Sequence, residues 1–184
     1  MKSLYAQAKG TNLEKLSQTM AQGEACGVMM YYAMARLAKE QGYDDVAREL
    51  IEAGNQEAEH AGFYATLAGK YPKDFWGMLR GLYAAESSGE GKVMEFAEKF
   101  RNAGLSEAAD ELVIFAKQEG HHGVLLKKLL EKYHPELLDD GNKKVYVCAC
   151  CGYEYVGDLD AEGEEYICPV CGQPKRVFRL KDNK

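Results

Sequence analysis

One spacing constrains this chain more than any other. "QEAEH" (56–60) and "QEGHH" (118–122) both read Gln-Glu-x-x-His, and they lie 62 residues apart. The same shift lays Glu24 on Glu86 and "QGYDDVAREL" (41–50) on "AGLSEAADEL" (103–112), with Gly, Ala, Glu and Leu coinciding. A repeat of this kind reveals architecture before any single element does. Each half is a helix carrying one glutamate, followed by a helix carrying Glu-x-x-His.

Local signals support four helices between Thr11 and about His134. "TNLE" (11–14) is a capping box, which predicts a helix starting near Asn12 and stopping at Gly42. Asp44 is placed to cap a second helix reaching about Lys70, where "YPKD" interrupts it. A third helix is expected from about Asp74 to Ala103, ending at Gly104. Ser106 is placed to cap a fourth, which stops before Pro135. Gly77, Gly81, Gly89 and Gly91 weaken the third. Four long helices with short connections imply a mainly α, antiparallel four-helix bundle over residues 1–138. "PELLDDGNKK" (135–144) reads as a linker. Beyond it, aromatic and β-branched residues, glycines and cysteines predict a small β-rich module, so the second domain is 139–184.

The repeat has chemical consequences. Residues i and i+3 share a helix face, so Glu57 and His60 point one way, as do Glu119 and His122. Glu24 and Glu57 fall at similar heights in a hairpin, offset by roughly 6 Å at 1.5 Å per residue. Two facing hairpins would gather Glu24, Glu57, His60, Glu86, Glu119 and His122. Burying those groups without cations would be very costly, and two divalent metals would supply the missing charge. This is the ligand pattern of di-iron and di-manganese bundles. Mixed oxygen and nitrogen donors suit Fe or Mn, and would also accept Zn. A lone Glu-x-x-His more often marks a solvated helix face. Two in register, each preceded by a glutamate at the same offset, reverse that reading.

A second metal site is written in the tail. "CACCGY" (148–153) and "CPVCG" (168–172) contain two Cys-x-x-Cys units, Cys148/Cys151 and Cys168/Cys171, each followed by Gly. Sixteen residues separate the units, and the pattern predicts one ion, Fe or Zn, held tetrahedrally by four thiolates. Cys150 breaks the symmetry and is read as a bystander. Cys26 is expected to pack between helices, Trp76 to be a packing anchor, and His121 to lie on the surface or behind the ligands. The net charge of −6 and the lack of a basic block argue against nucleic acid. The lack of a long apolar run near the N-terminus argues against a membrane span or export signal, and points to the cytoplasm.

With both sites in hand, the chain resembles the rubrerythrins, in which a ferritin-like di-iron bundle precedes a rubredoxin-like domain. The residues that carry the resemblance are "GEACGVMMYY" around Glu24, "EAEH" (57–60), "AAESSGE" around Glu86, "EGHH" (119–122), "YVCACCGY" and "CPVCGQPK". The resemblance implies two non-haem irons on Glu24, Glu57, His60, Glu86, Glu119 and His122, with Glu57 and Glu119 bridging. It also implies one iron on Cys148, Cys151, Cys168 and Cys171, and Tyr31 near the di-iron site. It further implies reduction of hydrogen peroxide to water, with electrons reaching the rubredoxin-like centre from NAD(P)H through a separate reductase or a rubredoxin. A homodimer is implied as well, in which one subunit's rubredoxin-like centre lies near the other's di-iron site.

The chain departs from its relatives in places. Typical members carry a further glutamate three residues after the third-helix ligand; here Gly89 stands there and Glu90 follows. Glu90 is expected to serve as an extra ligand and proton relay if the helix bulges at Gly89 and Gly91. A second tyrosine found near the irons in the family has no clear match. Two other function classes share some of these features. A ferritin-like iron-oxidising or iron-storing protein would use the dinuclear site but not the tail. A bundle with a structural zinc ribbon would bind a partner and have no redox role.

Overall fold

The structure is a computed structural model that describes residues 3–139 and 144–181. The chain is mainly α. Four helices, α1 (Glu14–Glu40), α2 (Asp44–Ala68), α3 (Phe75–Asn102) and α4 (Ser106–Tyr133), precede three short strands, β1 (Val145–Cys148), β2 (Glu154–Val156) and β3 (Phe178–Leu180). It forms two compact units, Met1–Lys73 and Asp74–Lys184.

The first unit is the α1–α2 hairpin. The expected capping box forms in altered register. Thr11 Oγ1 accepts from the Leu13 N–H at 3.1 Å, while Glu14 reaches back to the Gly10 N–H at 2.6 Å. The helix proper therefore begins at Glu14, two residues after the expected start. Asp44 and Ser106 also prove to be first helical residues, with no side-chain cap at Tyr43 or Leu105. Asp74 does cap α3, accepting from the Gly77 N–H at 3.1 Å.

The second unit contains the α3–α4 hairpin and the β-rich module. Both hairpins turn identically. Gly42 (φ +81°) and Gly104 (φ +80°) are 62 residues apart and both left-handed, a conformation that glycine adopts without a Cβ penalty. After each, the next amide donates back into the helix: Tyr43 to the Ala38 carbonyl, Leu105 to that of Phe100.

The repeat also governs the packing. Buried Ala35, Ala47, Gly54 and Ala68 of the first hairpin correspond to buried Ala97, Ala109, Ala116 and Leu130 of the second. Apart from Leu130, the side chains at these positions are small and let the paired helices approach closely. α3 is a continuous α-helix, so the bulge expected at Gly89 and Gly91 does not occur. The last turn of α4 is held by Trp76, whose ring lies 5.8 Å from Tyr133 and 4.4 Å from His134. The expected linker begins as a 3-10 turn, Pro135–Leu138, and residues 140–143 of it lie outside the described residues.

The strands form one antiparallel sheet in the order β2-β1-β3. Around it, Cys148, Tyr153, Leu159, Cys168 and Phe178 form a small core that also includes Ala85 of α3.

Candidate metal centres

Three clusters of metal-ligating side chains form among the described residues: Glu24/Glu57/His60, Glu86/Glu119/His122 and Cys148/Cys151/Cys168/Cys171. In each, one ligand atom per residue lies within 4.8 Å of all the others. The structure thus brings together ten of the residues singled out in the sequence.

In the first triad, His60 Nδ1 lies 3.1 Å from Glu57 Oε2. The hydrogen bond shared with Glu57, aided by partial desolvation, raises the Glu24 carboxyl above its ordinary value. The same bond, with that to His60, lowers Glu57. In the second triad, His122 Nδ1 lies 3.3 Å from Glu86 Oε2 and 3.9 Å from Glu119 Oε2. Burial, then the hydrogen bond with Glu119, raises Glu86, and His122 opposes the shift. In each triad two carboxyls of like charge are held close together, which disfavours ionising both. A divalent cation answers the same repulsion, and the donor set fits one. Within its own hairpin each triad is open on one side: the His60 and His122 side chains are 58% and 53% exposed. The desolvation argument for two metals therefore applies only when two triads face each other.

Glycines shape both triads, a feature the sequence reading overlooked. Gly27 follows Glu24 by three residues, and Gly89 follows Glu86 by three. A Cβ at Gly27 would lie 3.6 Å from Glu57 Cγ, and one at Gly89 would lie 3.2 Å from Glu119 Cβ. Each glycine leaves room for the glutamate of the paired helix. Applying the 62-residue shift to the glycines as well as the acids would have revealed them.

Glu90 is exposed and stands outside the second triad; its carboxylate crosses to α4 and covers Gly120, next to Glu119. Tyr31 is half-buried on α1, its Cβ facing Gly54 of α2. Cys26, expected between helices, is instead exposed, within reach of the Gln22 amide. Its position two residues from Glu24 turns it off the hairpin's packed face. His121 is exposed.

The cysteine cluster is built from two equivalent knuckles. The Gly152 amide donates to the Cys148 carbonyl at 2.9 Å, and the Gly172 amide to that of Cys168 at 2.8 Å. Both glycines have positive φ, +86° and +70°. Cys148 Sγ lies 3.7 Å from Cys171 Sγ, and Cys151 Sγ lies 3.6 Å from Cys168 Sγ. A tetrahedral ion with metal–sulfur bonds of about 2.3 Å has edges of about 3.8 Å, so the four thiols fit it. Burial pushes the Cys168 thiol up to about 11 and raises Cys151 further. At Cys171 burial works the other way from the net shift. The Gln173 N–H and the neighbouring thiols bring it down to about 7. Cys150 is exposed and outside the cluster, with its thiol raised by contact with Cys171.

No protein-family model matches the chain. Reverse rubrerythrin-1 of Clostridium acetobutylicum is 33% identical over 132 residues, covering 68% of this chain and 71% of that protein. The chain belongs to the rubrerythrin family. Rubrerythrin of Porphyromonas gingivalis is 26% identical over 190 residues, covering 95% of this chain and 93% of its own. Among solved structures, nigerythrin in a mixed-valence state matches over 98% of this chain and 94% of its own, at 24% identity and a TM-score of 0.30. Rubrerythrins are di-iron oxidoreductases of oxidative-stress defence, and this chain takes that assignment. Its order of elements is that of a ferritin-like four-helix bundle followed by a rubredoxin-like domain, and its triads and four-cysteine cluster fit iron of the family's type. Among the described residues, no helix is long and apolar enough to cross a membrane.

Proposed function

We propose that the protein is a non-haem di-iron peroxidase that reduces hydrogen peroxide to water as a homodimer in the cytoplasm. Its electrons come from NAD(P)H through a separate reductase or a rubredoxin and enter at the four-cysteine centre. The observation that carries this reading is the coexistence in one chain of two matched Glu/Glu/His triads and a complete four-cysteine cluster. An iron-storing protein would use the triads but has no need of the cluster. A zinc-ribbon scaffold would use the cluster but has no need of the triads.

In this reading residues 1–138 form the catalytic module and 139–184 the electron-entry module. Glu24, Glu57, His60, Glu86, Glu119 and His122 hold two irons when the triads face each other. When bound, iron would supply electrons and Lewis acidity for cleaving the O–O bond. By the family resemblance Glu57 and Glu119 would be the carboxylates shared between the two irons, and Glu57 hydrogen-bonds with both Glu24 and His60 of its triad. Glu90 reaches α4 beside Glu119, and in this reading it would relay a proton to departing hydroxide. Tyr31 lies seven residues after Glu24, on the same face of α1. Cys148, Cys151, Cys168 and Cys171 hold the third iron. Peroxide consumption by the anaerobically iron-loaded protein, compared with Glu57→Ala, tests the reading. A fall of at least tenfold is expected, and equal rates would refute it.

A further inference from the structure

The stretch between the two hairpins is short and tied down. Only residues 69–74 separate Ala68, the end of α2, from Phe75, the start of α3. The first two belong to the end of α2. Gly69 is left-handed (φ +63°) and donates to the Thr66 carbonyl at 3.1 Å, and Lys70 donates to that of Ala65 at 3.0 Å. The segment before α1 fastens the same end. The Ala6 and Ala8 amides donate to the Thr66 and Leu67 carbonyls at 2.9 and 3.0 Å, and the Tyr5 hydroxyl donates to that of Tyr71 at 2.9 Å. Pro72 stiffens the remainder, and Asp74 is engaged in capping α3.

A ferritin-like bundle joins its two hairpins by one long crossover, which returns the chain along the bundle. Glu57 stands about three turns, or about 16 Å, before Ala68, and Glu86 about as far after Phe75. A crossover that sets both triads at one height must therefore bridge roughly 33 Å. Residues 69–74 reach at most about 25 Å when fully extended. The ties at Gly69, Lys70 and Tyr71 shorten that reach further. The connection is too short for one chain to close a ferritin-like bundle on itself.

Each hairpin meanwhile presents an uncovered seam. Leu16, Met30, Met34 and Leu37 of α1 are exposed and keep the three- and four-residue steps of a coiled-coil seam, with Gly27 of the first triad in register. On α4 the register runs through Phe115, Glu119, His122, Leu126 and Leu129, of which Phe115, His122 and Leu129 are exposed. Ligands of the second triad thus lie within an apolar stripe of the kind that marks an interface.

We infer that the dinuclear site is built between two copies of this chain. The α1–α2 hairpin of each copy lies against the α3–α4 hairpin of the other, so each metal pair is held by one chain's Glu24/Glu57/His60 triad and the other chain's Glu86/Glu119/His122 triad. The inference rests on the two-triad metal site of the proposed function and names what completes it. A dimer that exchanges hairpins has two such sites related by its twofold axis, and each short connection only passes from one bundle to the next.

Complementation between full-length chains tests this. Glu57→Ala damages the first triad and Glu119→Ala the second, so neither variant alone has an intact pair of triads. The two chains, differently tagged, are co-expressed, isolated as the mixed dimer and loaded anaerobically with ferrous iron, and iron is counted after a chelator challenge. The red tetrathiolate colour reports that each chain is folded, and His60→Asn with His122→Asn replaces the pair if an alanine chain is not. Exchanged hairpins put both lesions in one bundle and leave the other intact. The mixed dimer is therefore expected to keep about half of the wild-type triad iron, and each variant alone at least tenfold less than wild type. A mixed dimer that keeps no more than its parents would overturn the inference, as closure within one chain or pairing of like hairpins gives that result. Failure of any mixed dimer to form, or a wild type without triad iron, would overturn it too. Complementation of iron binding in a protein that consumes no peroxide would uphold the inference and refute the peroxidase reading alone.

Discussion

Tyr166 shows how single atoms bear on this structure. Its ring packs edge-on against Tyr155 and Phe178 at centroid distances of 5.6 and 5.7 Å, yet its buried hydroxyl has no hydrogen-bond partner among the described residues. Burial raises its phenol strongly. A buried polar group left unpaired costs about 1–3 kcal/mol. Tyr166→Phe is therefore expected to leave stability unchanged or raise it by about 1 kcal/mol, read by chemical denaturation of the metal-loaded protein. Gly27 and Gly89 make a second case. The space at Gly89 is tighter, 3.2 Å against 3.6 Å, and it faces the backbone end of Glu119. Gly89→Ala should displace Glu119 and weaken metal binding by the second triad, roughly tenfold on the scale of lost ligand support. Gly27→Ala should leave the first triad within about twofold on that same scale. Competition with a chromophoric chelator measures both.

At the scale of the helix pair, each hairpin is closed by small residues. Ala47 and Ala109 are fully buried at equivalent positions. Enlarging either forces the paired helices apart, and overpacking of this kind costs about 1–3 kcal/mol. Ala47→Leu and Ala109→Leu should each lower stability by that amount and loosen the adjacent triad, seen as a fall in melting temperature and in metal retention. These elements are legible in the sequence because the repeat, the caps and the Glu-x-x-His spacing are local signals. Gly42 and Gly104 mark the turns for the same reason. Asp44 and Ser106 lie one residue from the positions expected of them, because an acid or serine at the first helical position resembles a cap. The bulge expected near Glu90 rests on glycines alone, and glycine permits a bulge without requiring one. Cys26 misleads because a cysteine in an apolar run looks buried until its helix face is known.

Over the whole molecule, the sequence reveals which residues form the candidate metal clusters better than it reveals how the modules join. Two Cys-x-x-Cys units define their site by spacing alone. The contact of Gly81 with Tyr153, or of Arg80 with Glu154, links residues more than 70 positions apart and leaves no periodic trace. A buried ion pair broken on one side costs about 3–5 kcal/mol. Arg80→Ala should thus destabilise the second unit more than any exposed charge substitution, such as Lys127→Ala, whose i,i+4 partner Glu131 is also exposed. Denaturation of the zinc-loaded chain checks this comparison.

The central claim is that two triads and one cysteine cluster are metal sites of a single protein, and counting bound iron tests it most directly. After anaerobic loading and removal of free metal, the account predicts three irons per chain, one for each cluster. It predicts one iron, with the red tetrathiolate spectrum intact, when Glu57 and Glu119 are both replaced by alanine. A wild-type chain that retains only the cysteine-bound iron would contradict it.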